Sequence, residues 1–408
     1  MTIYEPAEDS YLLQKHIVQY AQGRVLDIGT GSGIQALTAI KNPQVREIIA
    51  VDTNPEAVLA LNKKIEEEYL RKIKVLKGSL FEPVEGKFNL IIFNPPYLPQ
   101  DKGIVDQALY GGKHGWELSE RFFREVTEYL FPDGIILFLF SSLTNKEKID
   151  SIIQHQLLQA EEIDRQKLSF EELYIYAIRK STVLLDLERQ GISGITYFTH
   201  GKRGNIFLGT LDKNKLVKTH FSSKEYKIPV AIKVKRQESE AQGRIANEAH
   251  WLEILNTKSI GPQLLFSGTD FLVYEFVEGP FFGDWMLLHS RDHILKALDD
   301  ILQQCFVLDQ LQVNKEEMHH PQKHIVMNNL QQPVLLDFER CEETDKPKNV
   351  TQFVEYICRM KDDLGQKNIV VDPERLRELA QQYKHERTQE NLDQVKVELK
   401  HKAVLKKK

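Results

Sequence analysis

The stretch from Val25 to Gly33 constrains this chain more than any other. Val25-Leu26-Asp27-Ile28 is a short apolar run closed by Gly29-Thr30-Gly31-Ser32-Gly33, and apolar residues at helical spacing follow over 34–40. A strand that ends in a glycine turn and opens a helix is the entry to a parallel α/β sheet. The turn needs left-handed backbone and close approach, which glycine alone provides without a steric penalty. The same rhythm continues through 47–51, 57–69, 74–77 and 89–93, then 119–130, 134–140, 146–156 and 174–177. It predicts a mostly parallel sheet with helices on both faces, a Rossmann-like α/β fold. After Lys180 the rhythm changes. A helical pattern at 183–190 precedes consecutive strand patterns at 195–199, 205–211 and 230–235. Helices follow at 244–255 and 292–311, with strands at 263–266, 271–276 and 334–337. With 408 residues, about twice a usual domain, the chain is expected to divide into 1–180 and 181–408. The second part reads as α+β, a strand-rich lobe followed by a helix-rich lobe, and no internal repeat is visible.

Composition removes several function classes. The longest apolar stretch, 135–140, is far too short to cross a bilayer. The opening Met1-Thr2-Ile3-Tyr4-Glu5-Pro6 carries acid where a secretory signal carries base, so a cytoplasmic protein is expected. Cys305, Cys341 and Cys358 are widely spaced and odd in number, which offers neither a disulfide framework nor a paired-cysteine metal knuckle. A formal net charge of −5 argues against a surface that grips nucleic acid throughout. The Lys-rich tail over 393–408 reads as a solvated helix end.

The glycine turn is shared by dinucleotide-binding proteins, and Asp27 separates the cases. A carboxylate there can face the methionine ammonium of S-adenosylmethionine, whereas it would repel a pyrophosphate. Gly29 and Gly31 let the backbone approach a nucleoside, and Asp52, ending the next strand, can accept both ribose hydroxyls. For either aspartate the plainer alternative is a turn or helix-capping residue. Asn94-Pro95-Pro96-Tyr97 follows the apolar strand at 90–93. An amide or exocyclic amine is a poor nucleophile because its lone pair is delocalised. A site must hold both N–H groups and aim the nitrogen at the sulfonium methyl. Asn94 supplies a side-chain carbonyl, Pro95 a main-chain carbonyl fixed by its ring, and Tyr97 a flat face beside Pro96. No strong general base is required, since the proton can leave after the methyl transfers. A proline turn that merely ends a strand would not account for Asn94 at the strand's carboxyl mouth, where α/β ligands bind.

These motifs, with Tyr4-Glu5-Pro6-Ala7-Glu8-Asp9-Ser10, Asp52-Thr53-Asn54-Pro55-Glu56 and Gly111-Gly112-Lys113-His114-Gly115, together resemble the HemK-like class I methyltransferases. The resemblance covers residues 1 to about 180 and is strongest to the short archaeal and eukaryotic branch, since no extra helical domain has room before Tyr4. It implies methylation of the glutamine amide in the Gly-Gly-Gln tripeptide of class I peptide-release factors. It also implies Ser10, Asp27, Gly29, Asp52, Ser79 and Leu80 at the cofactor, and Asn94 at the substrate amide. Ser79 departs from the family's usual Asp, which implies weaker adenine binding. The short branch works with a small zinc-binding activator subunit. The Asn-Pro-Pro-Tyr signature also serves methyltransferases of base amino groups in RNA and DNA. Those add basic or base-flipping modules, and the appended half here is not obviously basic. A protein substrate is therefore expected, with nucleic acid only through the translation machinery.

In the second half Val230-Ala231-Ile232-Lys233 places a lysine on a strand, and Glu248 lies on the following helix. A buried Lys held by a helix Glu orients ATP phosphates in protein kinases. Asp337-Phe338-Glu339 follows a strand, where Asp337 could hold Mg²⁺. Residues 273–279 look like a hinge. Together these resemble atypical kinases of the archaeal Rio-related or KEOPS-associated kind over roughly 181–360. The loop His200-Gly201-Lys202-Arg203-Gly204-Asn205 keeps two glycines. The stretch 315–324 holds no aspartate, which leaves Glu316, Glu317 or His319 as base and His324 or Asn328 as a second metal ligand. Glu339 stands where glycine is usual. The expectation is an ATP-binding domain of low or unusual activity, with a pseudokinase scaffold as the alternative.

Overall fold

The computed structural model describes residues 3–99, 110–200, 204–212, 227–236 and 243–400. They form two compact units, Met1–Gln190 and Gly191–Lys408.

The first unit is built on strands β1 (Gly23–Ile28), β2 (Val45–Asp52), β3 (Ile73–Lys77), β4 (Phe88–Phe93), β5 (Leu130–Ser141), β6 (Leu158–Lys167) and β7 (Glu172–Lys180). They pair in the order β3-β2-β1-β4-β5-β7-β6. The first five run parallel, and β7 is antiparallel to both β5 and β6. Helices α1 (Glu8–Tyr20), α2 (Ile34–Ala39), α3 (Pro55–Glu67), α4 (Glu117–Tyr129) and α5 (Lys146–Gln154) cover the sheet. Strands covered on both faces have no polar side to offer. Leu90, Ile91, Ile92 and Phe93 in β4, and Ile136 through Phe140 in β5, are accordingly continuous apolar runs and fully buried. On one face Phe122 stacks against both Phe93 and Phe138. The strand order reverses between β1 and β4, which opens a crevice at their carboxyl ends. The glycine turn, Asp52 and Asn94 all fall at that mouth.

The expected parallel rhythm is present, while β6 lies outside every strand expected from the sequence. Its residues, Leu-Gln-Ala-Glu-Glu-Ile-Asp-Arg-Gln-Lys, are mostly exposed on the sheet edge. The compact units divide after Gln190 and not at 180. Helix α6 (Thr182–Arg189) is capped by Ser181 and tied back by Lys180, whose Nζ donates to Glu188 at 2.6 Å.

In the second unit β8 (Ile192–His200), β9 (Gly204–Asp212), β10 (Lys227–Lys235), β11 (Leu264–Ser267) and β12 (Phe271–Glu275) form an antiparallel sheet in the order β8-β9-β10-β12-β11. Helix α7 (Arg244–Asn256) lies between β10 and β11 in sequence. Helices α8 (Phe282–Leu288), α9 (Arg291–Gln310), α10 (Asn349–Arg359), α11 (Lys361–Gln366), α12 (Pro373–His385) and α13 (Gln389–Lys400) follow, with the hairpin β13 (Ile325–Met327) and β14 (Pro333–Leu335). Their shared core includes Leu298, Leu302, Phe353, Ile357 and Tyr383. The Lys-rich tail is packed as far as Lys400: Leu392, Val395 and Leu399 are buried, and Lys396 donates to Asp299 at 3.1 Å. Residues 401–408 lie outside the described set. Among the described residues no helix is long and apolar enough to cross a membrane.

Candidate active site

The crevice at the carboxyl ends of β1, β2 and β4 is lined by Ser10, Asp27, Gly29, Gly31, Asp52, Ser79, Leu80 and Asn94 through Tyr97, so the structure brings together every residue expected there. Gly29 and Gly31 have φ of 67° and 51°, backbone that a side chain rarely adopts. Beyond its own chain neighbours, no protein atom lies within 4 Å of where a Cβ on Gly29 would stand, so the space beside it is open. Asp52 braces the turn, because its Oδ2 accepts from the Gly31 N–H and its Oδ1 from the Asn54 N–H, both at 2.8 Å. A carboxylate has about four lone-pair sites, so two remain for hydroxyl donors. Asp27 is buried. Its Oδ2 accepts from Thr30 Oγ1 at 2.6 Å and from the Ala36 N–H at 3.1 Å. Burial pushes its carboxyl up to about 7, against the lowering effect of those two donors. Leu80 takes a left-handed φ of 49°, and the Ser79 N–H donates to Glu82 Oε2. Gln35, which the sequence reading did not single out, also lines the crevice, with its Oε1 buried and without a partner.

Asn94 is held from the opposite side. Its Nδ2 donates to Asp9 Oδ2 at 2.8 Å, and its Oδ1 is buried with no hydrogen-bond partner. The reverse amide orientation would set two oxygens against each other, so Asp9 dictates which end of the amide is left for a substrate. Asp9 is itself fixed, since its Oδ1 accepts from Tyr4 OH at 3.0 Å and from the Ser10 N–H at 2.6 Å. Within the entry motif Asp9 carried no separate role in the sequence reading. The available signal was an acid in the first turn of an amphipathic helix, which ordinarily means only a favourable helix dipole. Burial, then the charge of Asp9, holds the Tyr97 hydroxyl well above its ordinary range, so it stays neutral. The loop through Gly111 and Gly115 presses on this segment. A Cβ on Gly111 would stand 2.4 Å from the Pro96 carbonyl oxygen, and one on Gly115 2.4 Å from that of Tyr97. Chemically the crevice offers a carboxylate for a cation, an acceptor for ribose-type hydroxyls, and an oriented carbonyl for an N–H donor.

A second cluster lies in the second unit. Lys233 Nζ meets Glu248 at 2.6 Å, Glu339 at 3.0 Å and Asp337 at 3.2 Å. Burial would depress this ammonium, but the charges of Glu248, Asp337 and Glu339 together hold it well above its ordinary value. Glu248 also accepts from the Phe338 N–H at 3.2 Å, so one carboxylate fastens the lysine to the strand-end loop. Asp337 sits at φ 65°, and the buried Lys315 donates to its carbonyl. Lys233, Glu248 and Asp337 are therefore assembled as expected, and Glu339 and Lys315 join them. Asn328 is not available as a metal ligand: its Oδ1 accepts from the Leu330 and Gln332 N–H groups and shapes the β13–β14 turn. His324 takes the place beside Asp337, its Nδ1 at 3.6 Å from Oδ2. Of the base candidates, Glu316 pairs with Arg340 at 3.1 Å, His319 Nδ1 lies against the Glu316 carbonyl, and Glu317 lies near Lys315 and Arg340. Residues 201–203 of the glycine loop lie outside the described set.

The first unit matches the methyltransferase small domain over residues 7–168. A Methanocaldococcus jannaschii protein provisionally named a protein N5-glutamine methyltransferase is 38% identical over 178 residues, 42% of this chain and 89% of its own. Human methyltransferase HEMK2 is 30% identical over 197 residues, 44% of this chain and 90% of its own. A chain of the E. cuniculi Mtq2–Trm112 complex, responsible for methylation of the eRF1 translation termination factor, aligns over 44% of this chain and all of its own, at 23% identity and a TM-score of 0.37. The relatives' coverage, together with a crevice whose acceptors and open space suit a nucleoside sulfonium, places the first unit of this chain in the S-adenosylmethionine-dependent, HemK-like protein N5-glutamine methyltransferase family.

Proposed function

We propose that the first unit methylates the glutamine side-chain amide in the Gly-Gly-Gln tripeptide of a class I peptide-release factor, in the cytoplasm. The observation that carries this reading is Asn94, whose Nδ2 is committed to Asp9 and whose Oδ1 has no partner. In this reading one N–H of the substrate amide donates to Asn94 Oδ1 and the other to the Pro95 carbonyl, while Tyr97 packs against the amide plane. Held this way the nitrogen loses rotational freedom and is aimed along one line, which lowers the barrier without a strong base. Asp27 would accept the cofactor's ammonium and Asp52 its ribose hydroxyls, with Ser79 and Leu80 at the adenine. When bound, the cofactor would supply an electrophilic methyl on a positively charged sulfur: nitrogen would bond to that carbon as its bond to sulfur breaks, a neutral thioether would leave, and the proton would then pass from nitrogen to solvent. The family resemblance adds a small zinc-binding activator subunit to the proposal, which co-expression and co-purification would reveal.

The test is transfer of labelled methyl from S-adenosylmethionine to a release factor carrying Gly-Gly-Gln or Gly-Gly-Ala. Label confined to the first is expected, and equal labelling of both overturns the reading. The same signature serves base amino groups, and label entering RNA or DNA without protein would favour that alternative. The formal charge of −5 weighs against it.

For the second unit we propose a kinase-like nucleotide site that binds ATP with a divalent cation, Mg²⁺ being the family's usual ion. The Lys233–Glu248 pair joined to Asp337 supports it, since an ammonium beside a carboxylate is the pairing that protein kinases use for phosphates and their ion. Slow or absent phosphoryl transfer is expected, because residues 315–324 contain no aspartate to serve as base. ATP should raise the unfolding temperature of the wild type and not of Lys233→Ala or Asp337→Ala. No shift in the wild type would refute the site.

A further inference from the structure

His324 ends the short helical turn before β13, and its ring reaches the strand-end loop that carries Asp337. The Nδ1 atom is buried and has no hydrogen-bond partner. It lies 3.6 Å from Asp337 Oδ2, too far for a hydrogen bond. Two ligands of one metal ion, each about 2.0–2.2 Å from it, can stand up to about 4 Å apart, so the separation suits a shared ion. Around the pair Glu248, Asp337 and Glu339 bring carboxylate oxygens within 4.8 Å of one another. Lys315 donates to the Asp337 carbonyl and lies 3.7 Å from Glu317, which damps its repulsion of an incoming ion.

We infer that His324 Nδ1 and Asp337 Oδ2 together ligate a divalent cation in the second unit, and that this nitrogen ligand makes the site prefer a first-row transition ion, Mn²⁺, which accepts imidazole more readily than Mg²⁺ does. The inference rests on the reading of this unit as a nucleotide site, where phosphate oxygens would complete the coordination sphere. Mg²⁺ demands near-octahedral oxygen ligation and sheds water reluctantly, whereas imidazole nitrogen suits ions further along the first transition row. The sequence left this place open between His324 and Asn328. The structure removes Asn328, whose side chain closes a turn, and leaves the histidine.

Binding of ATP to the full-length chain is measured by equilibrium dialysis with Mn²⁺ or Mg²⁺ as the sole divalent ion. Mn²⁺ should support binding about tenfold or more tightly, and His324→Asn should bring the two ions close to parity. Electron spin-echo measurements on the Mn²⁺·ATP complex give a second readout that needs no variant. Nitrogen modulation should appear in the wild type, change when histidine alone carries ¹⁵N, and vanish in His324→Asn. Equal ATP binding with the two ions and no histidine nitrogen on Mn²⁺ would overturn the inference while leaving the nucleotide site intact. Absence of ATP binding with either ion would instead remove the nucleotide reading, and the inference with it.

Discussion

A carboxamide presents a donor at one end and an acceptor at the other, and a methylating site for an amide substrate needs only the acceptor. In this chain Asp9 makes that choice by claiming the donor end of Asn94. Asp9→Asn keeps the shape but can pair with either end, so Asn94 loses its fixed sense. The expected result is a fall in kcat of roughly 10–100-fold, the usual size for removal of an orienting partner, with KM for S-adenosylmethionine little changed. A proportional loss in cofactor affinity would mean that Asp9 acts on the helix α1 entry and not on the amide. Asp27 yields a pH prediction. Its carboxyl rises from 3.8 unfolded to about 7 folded, so between those values the folded state holds a proton that the unfolded state has released. Stability from this group is therefore present in acid and declines as pH rises through the window. Cofactor binding runs the other way, because an ammonium needs the ionised form. Calorimetry should show S-adenosylmethionine affinity weakening by up to about tenfold per unit as pH falls below about 7, and Asp27→Asn should flatten that slope.

At the scale of elements, the substrate segment is held in place by a second loop whose glycines leave no room for a side chain. A Cβ on Gly111 would stand 2.2 Å from the Gly115 carbonyl oxygen as well as 2.4 Å from that of Pro96. Both obstacles are backbone and cannot swing aside. Gly111→Ala should therefore displace Asn94 to Tyr97 by a fraction of an ångström to about an ångström and reduce methyl transfer about 100-fold. Cofactor binding, made at the β1 and β2 ends, should persist in the same variant when measured by calorimetry. The motif spacing made this loop visible in the sequence, but its role depends on a packing distance that only three dimensions supply. Strands β1, β2, β4 and β5 were legible because burial on both faces forces continuous apolar runs. Strand β6 was not, since an exposed edge strand has no reason to be apolar and Leu158 is its one fully buried side chain. Asn328 and His324 show the same limit at a site: both are plausible ligands by type, and hydrogen bonds to a turn distinguish them.

Across the whole molecule the sequence carried the change of architecture in its rhythm, from alternating strands and helices to consecutive strands followed by helices. It did not carry the packing of the last third, because helices α10 and α12 draw their apolar faces from scattered positions and are joined through one polar residue. That residue is Asp309 on α9, 3% exposed. Its Oδ1 accepts from the Asn349 N–H at 3.0 Å and from Asn349 Nδ2 at 2.7 Å, and its Oδ2 accepts from Tyr383 OH at 2.9 Å and from the Val350 N–H at 3.3 Å. One carboxylate thus satisfies the start of α10 and anchors α12. Burial raises its pKa, and those four donors oppose the rise. Asp309→Ala would leave two helix N–H groups, one N–H of the Asn349 amide and a phenol without an acceptor inside the core, while the other amide N–H keeps the Val313 carbonyl at 2.6 Å. Each buried donor left unsatisfied costs about 1–3 kcal/mol, so a total loss of about 3–5 kcal/mol or more is expected. The expected outcome is a large loss of stability in the second unit, with hydrogen exchange at Asn349 and Val350 accelerated by two to three orders of magnitude, about what such a loss predicts. Asp309→Asn, which keeps one acceptor oxygen, should lose roughly half as much. Retained S-adenosylmethionine binding in both variants would show that the first unit remains folded, and unchanged exchange at Asn349 would exclude Asp309 as the anchor.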